Sequence, residues 1–179
     1  MKPARIIHVL ALLTLVMFLH ITGIGQSPKK GKATARISRD ARFRSLDGGS
    51  IKLADYEGKL VVLAIWATWC YPCVRAIEEL KELPAAVSKD RVEVIALSTE
   101  PLDSAGDAVR QSIETIGIEY PVGWISPISA DALMGEKKVI PQVYVIRDGK
   151  VLVKFVGWNR DQTLARIVEQ VNEALTSKP

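Results

Sequence analysis

The chain has 179 residues, 48% of them apolar and 25% charged, a composition that is ordinary for one globular domain with a hydrophobic core. Two cysteines are too few for the disulfide framework of a small secreted scaffold, so stability must come from that core. The net charge of +4 originates in residues 1–44, with 9 basic residues and 1 acidic residue, whereas residues 45–179 have 15 basic and 19 acidic residues. This distribution gives no basic folded face for nucleic acid.

Residues 1–25 have the pattern of a secretory signal peptide or an uncleaved signal anchor. Two basic residues precede an apolar run over residues 6–21, and Gly23 and Gly25 supply the small residues of a cleavage site. The lysines that soon follow disfavour translocation, but the pattern otherwise favours export. We therefore expect an extracytoplasmic protein, either secreted into the periplasm or held at the outer face of the membrane by this segment.

Residues 26–41 form a basic stretch without apolar periodicity, and we predict a disordered linker there. Its side chains could contact anionic lipid headgroups, although a solvated tether is the simpler interpretation. The regular spacing of strands, helices and turn residues begins at Arg42, so residues 42–179 are the predicted globular domain.

The first elements of this domain are predicted to be a hairpin, a buried strand and a helix. Residues 42–53 alternate around a turn at Asp-Gly-Gly, which is typical of a β-hairpin. Residues 59–68 are a continuous apolar run of strand length, as expected of a central strand buried on both faces. Pro72 can occupy the first turn of the following helix, which continues through residues 74–83. Pro84 should kink or end that helix.

The second half alternates in the same way. A second buried strand is followed by a helix with Ser104 as its N-cap and Gly117 as its end. The remaining predicted elements are an extended segment at 120–124, a short helix at 129–135, a hairpin at 142–157 and a terminal helix at 161–175. Helices that alternate with buried strands predict an α/β sandwich with a parallel centre, to which the closing hairpin adds antiparallel strands.

The only two cysteines lie at the predicted junction of a strand and a helix, in the sequence WATWCYPC. Cys70 falls where free backbone N–H groups and the helix dipole stabilise a thiolate, the form that attacks disulfides. Cys73 follows on the same face one turn later, so it can attack the mixed disulfide and release the substrate. The spacing therefore predicts a redox pair, with Tyr71 and Pro72 adjusting its redox balance.

Other uses of this pair are less favourable. A disulfide across so short a loop removes little entropy from the unfolded chain, which argues against a purely structural bridge. A metal site usually needs four ligands, and the two histidines both lie in the N-terminal segment, so we predict no metal. Haem attachment expects His where Val74 stands, and peroxidase chemistry of the peroxiredoxin kind expects Thr or Ser where Ala67 stands.

The segment YEGKLVVLAIWATWCYPC, together with the leading hairpin and the exported N-terminus, resembles the TlpA/ResA-like branch of thioredoxin-fold proteins. The likeness covers about residues 42–176. It implies an α/β fold: a thioredoxin-like three-layer sandwich with a central mixed β-sheet and an added N-terminal β-hairpin. It also implies an extracytoplasmic thiol–disulfide oxidoreductase that works through a Cys70–Cys73 disulfide without a cofactor.

The resemblance further assigns a substrate-binding surface. Pro141, in the sequence VIPQVYVI, matches the cis-proline that faces the cysteine pair in this fold, and the backbone of Ile140 would pair with an extended substrate. Trp69 adjoins the nucleophile and should be partly exposed as an apolar docking surface, and Tyr71 and Pro72 complete the set. Trp66, by contrast, is expected in the core.

Three positions bear on proton transfer and specificity. Ala64 occupies the place where thioredoxin-like strands often carry a buried carboxylate, so that route to the second cysteine is missing. Glu100 resembles the acidic residue that ResA-like proteins place near the pair, and it could exchange a proton with Cys73 as a catalytic residue. A solvated loop acid is the alternative. Gln142 stands where Thr is common, which suggests a different substrate preference.

The predicted function is disulfide exchange with protein substrates that carry disulfides or thiols. The resemblance favours a reductase, in cytochrome c maturation for example, that is re-reduced by a membrane electron donor. A disulfide-introducing oxidase and a non-catalytic thioredoxin-fold binding module are the alternatives. No nucleic acid is expected as a partner.

Overall fold

Seven strands form one mixed sheet in the computed structural model, which describes residues 36–136, 138–160 and 162–177. In chain order the strands are β1 (Arg42–Ser45), β2 (Ser50–Lys52), β3 (Leu60–Trp66), β4 (Val92–Ser98), β5 (Val122–Trp124), β6 (Gln142–Arg147) and β7 (Lys150–Val156). Their order across the sheet is β2-β1-β5-β4-β3-β6-β7. The fully apolar β3 lies inside the sheet, between β4 and β6, because only there can both of its faces be buried.

The centre of the sheet is parallel and its edges are antiparallel. Strand β4 pairs in parallel with both β3 and β5. The hairpin of β1 and β2 adds to β5 on one side, and the hairpin of β6 and β7 adds to β3 on the other, both in antiparallel fashion. The predicted mixed α/β sheet with an added N-terminal hairpin is therefore confirmed.

Helices cover both faces of the sheet. They are α1 (Tyr71–Glu79), α2 (Leu83–Ala86), α3 (Leu102–Ile116), α4 (Pro127–Met134) and α5 (Thr163–Thr176), with short 3₁₀ turns at Leu53–Tyr56 and Leu80–Glu82. Alternate residues of β3 serve two cores, as the two-residue period of a strand requires. Val62 and Trp66 pack with residues of α1, α3 and α5, whereas Leu63 and Ile65 pack with the N-terminal hairpin and α4.

Helix α1 ends earlier than its apolar spacing predicts. It stops at Glu79, and a 3₁₀ turn at Leu80–Glu82 leads into the short α2. Pro84 lies in the first turn of α2. Because proline has no N–H to donate to the carbonyl of Leu80, the α-helical ladder cannot run through this point. The predicted kink is present, but the break extends several residues ahead of the proline.

The prediction of Ser104 as the N-cap of α3 is wrong. The helix begins at Leu102 after Pro101, whose extended backbone (φ −64°, ψ 128°) sets the start. Ser104 instead lies inside the first turn, where its hydroxyl is 3.4 Å from the carbonyl oxygen of Pro101. The predicted end of the helix is confirmed, since Gly117 adopts a left-handed conformation (φ 70°) and its N–H donates to the carbonyl of Ile113.

Part of the predicted linker packs on the domain. The N–H of Ile37 donates to the carbonyl of Gly149 at 2.9 Å, and Arg36 forms a β-bridge with Lys150. The ordered contacts of the domain thus include residues before Arg42. The predicted signal segment and the rest of the predicted linker lie outside the described residues. Within the described part of the chain, no helix combines the length and the hydropathy that a membrane crossing requires.

Candidate functional site: the Cys70–Cys73 disulfide and its surroundings

Cys70 occupies the N-cap of α1, directly after the turn that leaves β3. Its backbone is extended (φ −93°, ψ 95°), and its carbonyl accepts hydrogen bonds from the N–H groups of Cys73 and Val74. Pro72 lies in the first turn, where its missing N–H costs nothing. The sulfur of Cys70 is therefore held at the positive end of the helix, a position that stabilises a thiolate.

The two cysteines form a disulfide with an S–S distance of 2.09 Å. Cys70 retains 6% of its accessible surface, whereas Cys73 retains none. Of the two cysteines, only Cys70 therefore offers accessible surface to another molecule. This difference in access supports the predicted order, in which Cys70 meets the substrate and Cys73 acts from within the protein.

The segment before β6 faces the disulfide. The carbonyl oxygen of Ile140 lies 3.8 Å from Sγ of Cys70, and the Ile140–Pro141 peptide bond is cis, as the resemblance predicts. The carbonyl of Pro141 accepts a hydrogen bond from the N–H of Gly157 at 2.8 Å, which joins this segment to the end of β7. The structure thus brings together two parts of the chain that are 70 residues apart in sequence.

Apolar side chains are exposed on the segments that carry the disulfide and the cis-proline. Trp69 is 73% exposed and Tyr71 is 74% exposed, on either side of Cys70. Val139 is 57% exposed beside Ile140. Large apolar side chains are usually buried against other residues of the same chain. Their exposure around one reactive group therefore indicates a contact surface for another molecule.

Glu100 lies beside the turn that precedes Cys70, and its carboxylate is hydrogen-bonded to that turn. Its Oε2 accepts a hydrogen bond from the backbone N–H of Thr68 at 2.6 Å, and its Oε1 accepts one from the Thr68 hydroxyl at 2.7 Å. The hydroxyl of Ser98, which is fully buried, lies 3.2 Å from Oε2. The predicted proton exchange with Cys73 stays a prediction, and these contacts give Glu100 a second interpretation as a support of the turn.

Two partly buried hydrogen bonds fix the C-terminal end of α1. The hydroxyl of Tyr120 donates to the carbonyl of Ile77 at 2.5 Å, and the indole N–H of Trp158 donates to Oε2 of Glu79 at 3.1 Å. Burial raises the pKa of the Tyr120 phenol far above its usual value, so its hydroxyl remains a donor. The helix that carries both cysteines is therefore held at its C-terminal end by side chains from other elements. Trp66 is fully buried, as predicted.

The side chain of Gln142 hydrogen-bonds to the segment that contains the cis-proline. This side chain is fully buried, and its Nε2 donates to the carbonyl of Val139 at 2.8 Å. Its Oε1 accepts a hydrogen bond from the hydroxyl of Tyr144, which also lies 3.1 Å from the carbonyl of Leu133 at the end of α4. A residue singled out in the sequence for substrate preference thus also shapes the backbone that faces Cys70.

Sequence reasoning missed Thr68 and Ser98. Both contact Glu100, but Thr68 is 32 residues away from it, and no local pattern marks such a pair. The available signal was a serine at the end of the apolar run Val94–Leu97, because a hydroxyl that is buried there needs a partner. Among the described residues no cluster of histidine, cysteine and carboxylate side chains could hold a metal ion.

The chain is similar to a known protein family and to named relatives. Residues 34–154 match the AhpC/TSA family. A thiol-disulfide oxidoreductase ResA of Bacillus cereus is 30% identical over 129 residues, which are 70% of this chain and 71% of that protein. The ResA protein of Bacillus anthracis is 28% identical over 126 residues, again 70% of this chain and 71% of that protein.

Solved structures of other proteins have the same fold as this chain. A putative thiol:disulfide interchange protein DsbE from Chlorobium tepidum superimposes with a TM-score of 0.65 at 26% identity, covering 83% of this chain and 99% of that one. A DsbF homologue from Corynebacterium diphtheriae gives the same TM-score at 24% identity, with 83% and 96% of the two chains covered, and shows the fold alone. The family match spans more than half of the chain, including both cysteines, and the chain belongs to the AhpC/TSA family of thioredoxin-like proteins, among the relatives of the thiol–disulfide oxidoreductase ResA.

Proposed function

We propose that this protein is a thiol–disulfide oxidoreductase that reduces protein disulfides outside the cytoplasm. The observation that carries the proposal is the disulfide at the N-terminus of α1, in which Cys70 keeps a small accessible surface and Cys73 keeps none. The relatives named as thiol–disulfide oxidoreductases support the general activity. The export signal predicted for the N-terminal segment supports the location.

The reaction starts from the reduced pair. The Cys70 thiolate attacks one sulfur of a substrate disulfide, which forms a mixed disulfide and releases the other substrate sulfur as a thiolate that takes up a proton. The Cys73 thiol loses its proton and attacks Sγ of Cys70. This second step forms the Cys70–Cys73 disulfide and frees the remaining substrate thiol, so two electrons pass to the substrate. A dithiol donor at the membrane then returns two electrons to the pair.

Substrate binding is proposed for the surface around Cys70. An extended peptide would lie along the backbone of Ile140 and Pro141, with apolar side chains against Trp69, Tyr71 and Pro72. The exposure of Trp69 and Tyr71 supports this assignment, as does the 3.8 Å approach of the Ile140 carbonyl to Sγ of Cys70. The resemblance to ResA makes apocytochrome c, whose haem-binding cysteines must be reduced, the substrate we propose first.

The direction of electron flow is tested by the reduction potential of the pair, measured by equilibration with glutathione or dithiothreitol buffers. For a reductase we expect a value similar to that of thioredoxin, about −270 mV, whereas an oxidase such as DsbA has a value of about −120 mV. A value in the oxidase range would overturn the proposed direction. Failure of the wild-type protein to accelerate insulin reduction in dithiothreitol would instead favour a non-catalytic binding module.

Removal of the Trp69 side chain tests the docking surface. Because the indole is 73% exposed, Trp69→Ala should leave the melting temperature nearly unchanged. We expect KM for a protein substrate to rise about tenfold, which corresponds to loss of about 1.4 kcal/mol of apolar contact, with little change in kcat. Ile128→Ala is the matched control, since Ile128 is 83% exposed in α4 and lies outside the proposed surface. Equal KM values for both variants would remove Trp69 from the binding surface.

A further inference from the structure

Both carboxylate oxygens of Glu100 are engaged by the turn between β3 and α1. The backbone N–H of Thr68 donates to Oε2 at 2.6 Å, and the hydroxyl of the same residue donates to Oε1 at 2.7 Å. The Ser98 hydroxyl is a third neighbour, 3.2 Å from Oε2. Thr68 is separated from Cys70 only by Trp69. The carboxylate of Glu100 therefore holds the backbone two residues before the nucleophile.

The backbone adds a second connection between the same two segments. The N–H of Thr99 donates to the carbonyl of Trp66 at 3.1 Å, which extends the pairing of β3 and β4 by one step. The N–H of Cys70 donates to the carbonyl of Ala67 at 3.2 Å and closes the turn. Between these two bonds, the hydrogen bonds that Thr68 forms among the described residues are both with Glu100. The side chain of Glu100 is therefore the group that fixes Thr68 within the turn.

We propose that Glu100 is a positioning residue that fixes Thr68, and through it Trp69 and Cys70, and that it does not exchange protons with Cys73. The inference rests on the proposed function, because it concerns the presentation of the attacking sulfur. Two donors of Thr68 point at the two carboxylate oxygens, one at each. A proton on Oε2 would meet the backbone N–H of Thr68, which can only donate, and a proton on Oε1 would require the Thr68 hydroxyl to turn from donor to acceptor, so proton exchange would disturb the contact that holds the turn.

Three variants separate the two roles. Glu100→Gln keeps the shape of the side chain: its amide oxygen can accept from the Thr68 N–H, and its NH₂ group can donate to the Thr68 hydroxyl. Glu100→Ala removes both bonds. Thr68→Val removes the hydroxyl bond but leaves the carboxylate in place. A positioning role predicts that Glu100→Gln is tolerated and Thr68→Val is not, whereas a proton-transfer role predicts the reverse.

The test uses the reduced protein and follows alkylation of Cys70 by iodoacetamide from pH 4 to pH 10. With Glu100→Ala we expect the pH midpoint of alkylation to rise, because the sulfur leaves its fixed position at the N-terminus of α1, and the rate of insulin reduction to fall by about tenfold, the size expected for lost hydrogen bonds to a charged group. With Thr68→Val we expect a smaller change in the same direction, of about threefold. Glu100→Gln should keep the midpoint and a rate within about twofold of the wild type. Thermal melting of each variant shows whether the fold is retained.

Two results would overturn the inference. One is a Glu100→Gln variant as impaired as Glu100→Ala, and the other is a Thr68→Val variant with the alkylation profile and activity of the wild type. Neither conclusion requires Glu100→Ala to fold, because the other two variants decide the matter. Alkylation reports on the thiol without any substrate, so a wild-type protein that failed to reduce insulin would defeat the proposed function and leave the comparison of profiles valid.

Discussion

Replacement of Cys70 by alanine is expected to lower insulin reduction to the rate that dithiothreitol alone supports, a fall of more than about a hundredfold. Cys70 is the member of the pair that solvent can reach, and its sulfur is held at the N-terminus of α1, where the thiolate is stabilised. Loss of this atom leaves Cys73 as the remaining thiol, and its side chain is fully buried. The measurement is insulin turbidity at fixed dithiothreitol, with wild-type protein as reference.

Cys73→Ala should behave differently from Cys70→Ala. Its Cys70 thiol remains available, so the first attack on a substrate proceeds. Because Cys73 is missing, dithiothreitol must then reduce the mixed disulfide to release the substrate. We therefore expect slow turnover together with normal alkylation of Cys70 in the reduced protein. Equal insulin activity of Cys70→Ala and the wild type would eliminate the proposed chemistry.

Gly123→Ala is expected to destabilise the domain by about 3 kcal/mol, at the upper end of the usual cost of overpacking. Gly123 lies in β5 opposite Ser45 of β1. A Cβ atom at this position would lie 2.3 Å from the carbonyl oxygen of Arg44 and 3.1 Å from Cδ1 of Ile51. The first of these contacts is with backbone, so β1 and β2 would have to move away from β5. Thermal and urea unfolding measure the loss.

Gly106→Ala is the matched control for that substitution. Gly106 lies within α3, and an added Cβ would meet only the flexible Cδ1 of Leu102, at 3.3 Å. Alanine is a better helix former than glycine, so the free energy of unfolding should rise by about 0.5–1 kcal/mol. The same chemical change is thus expected to have opposite signs at the two sites. A Gly123→Ala variant as stable as the wild type would show that the hairpin does not pack closely on β5.

Much of the fold could be predicted because local pattern and tertiary position agree. The apolar run at β3 has no polar face, and only a strand inside the sheet satisfies it. The turn at Asp148 and Gly149, both with positive φ, and the left-handed Gly117 likewise appear where their residue types favour them. Ser104 misled the prediction because α3 starts earlier, directly after Pro101. Proline has no side-chain hydrogen-bond acceptor, so the sequence shows no capping residue at this start.

The chemistry of the site was predictable in part, for the same reason. Cys70 and Cys73 lie in one continuous stretch, and strand, proline and helix around them carry the signal locally. The contact of Glu100 with Thr68 and that of Cys70 with Ile140 join distant parts of the chain. The resemblance anticipated the second contact but not the first. Nothing in the spacing of one sequence specifies which polar groups meet when two turns come together at the end of a sheet.

The order in which the two cysteines act is tested most directly by trapping. Cys73→Ser and Cys70→Ser proteins are reduced, freed of reductant and mixed with insulin, and the products are analysed by mass spectrometry without reduction. We predict a mixed disulfide with an insulin chain for Cys73→Ser, attached at Cys70, and little or none for Cys70→Ser, whose remaining sulfur is buried. Equal adducts on both variants, or an adduct on Cys70→Ser alone, would contradict the assignment of Cys70 as the attacking residue.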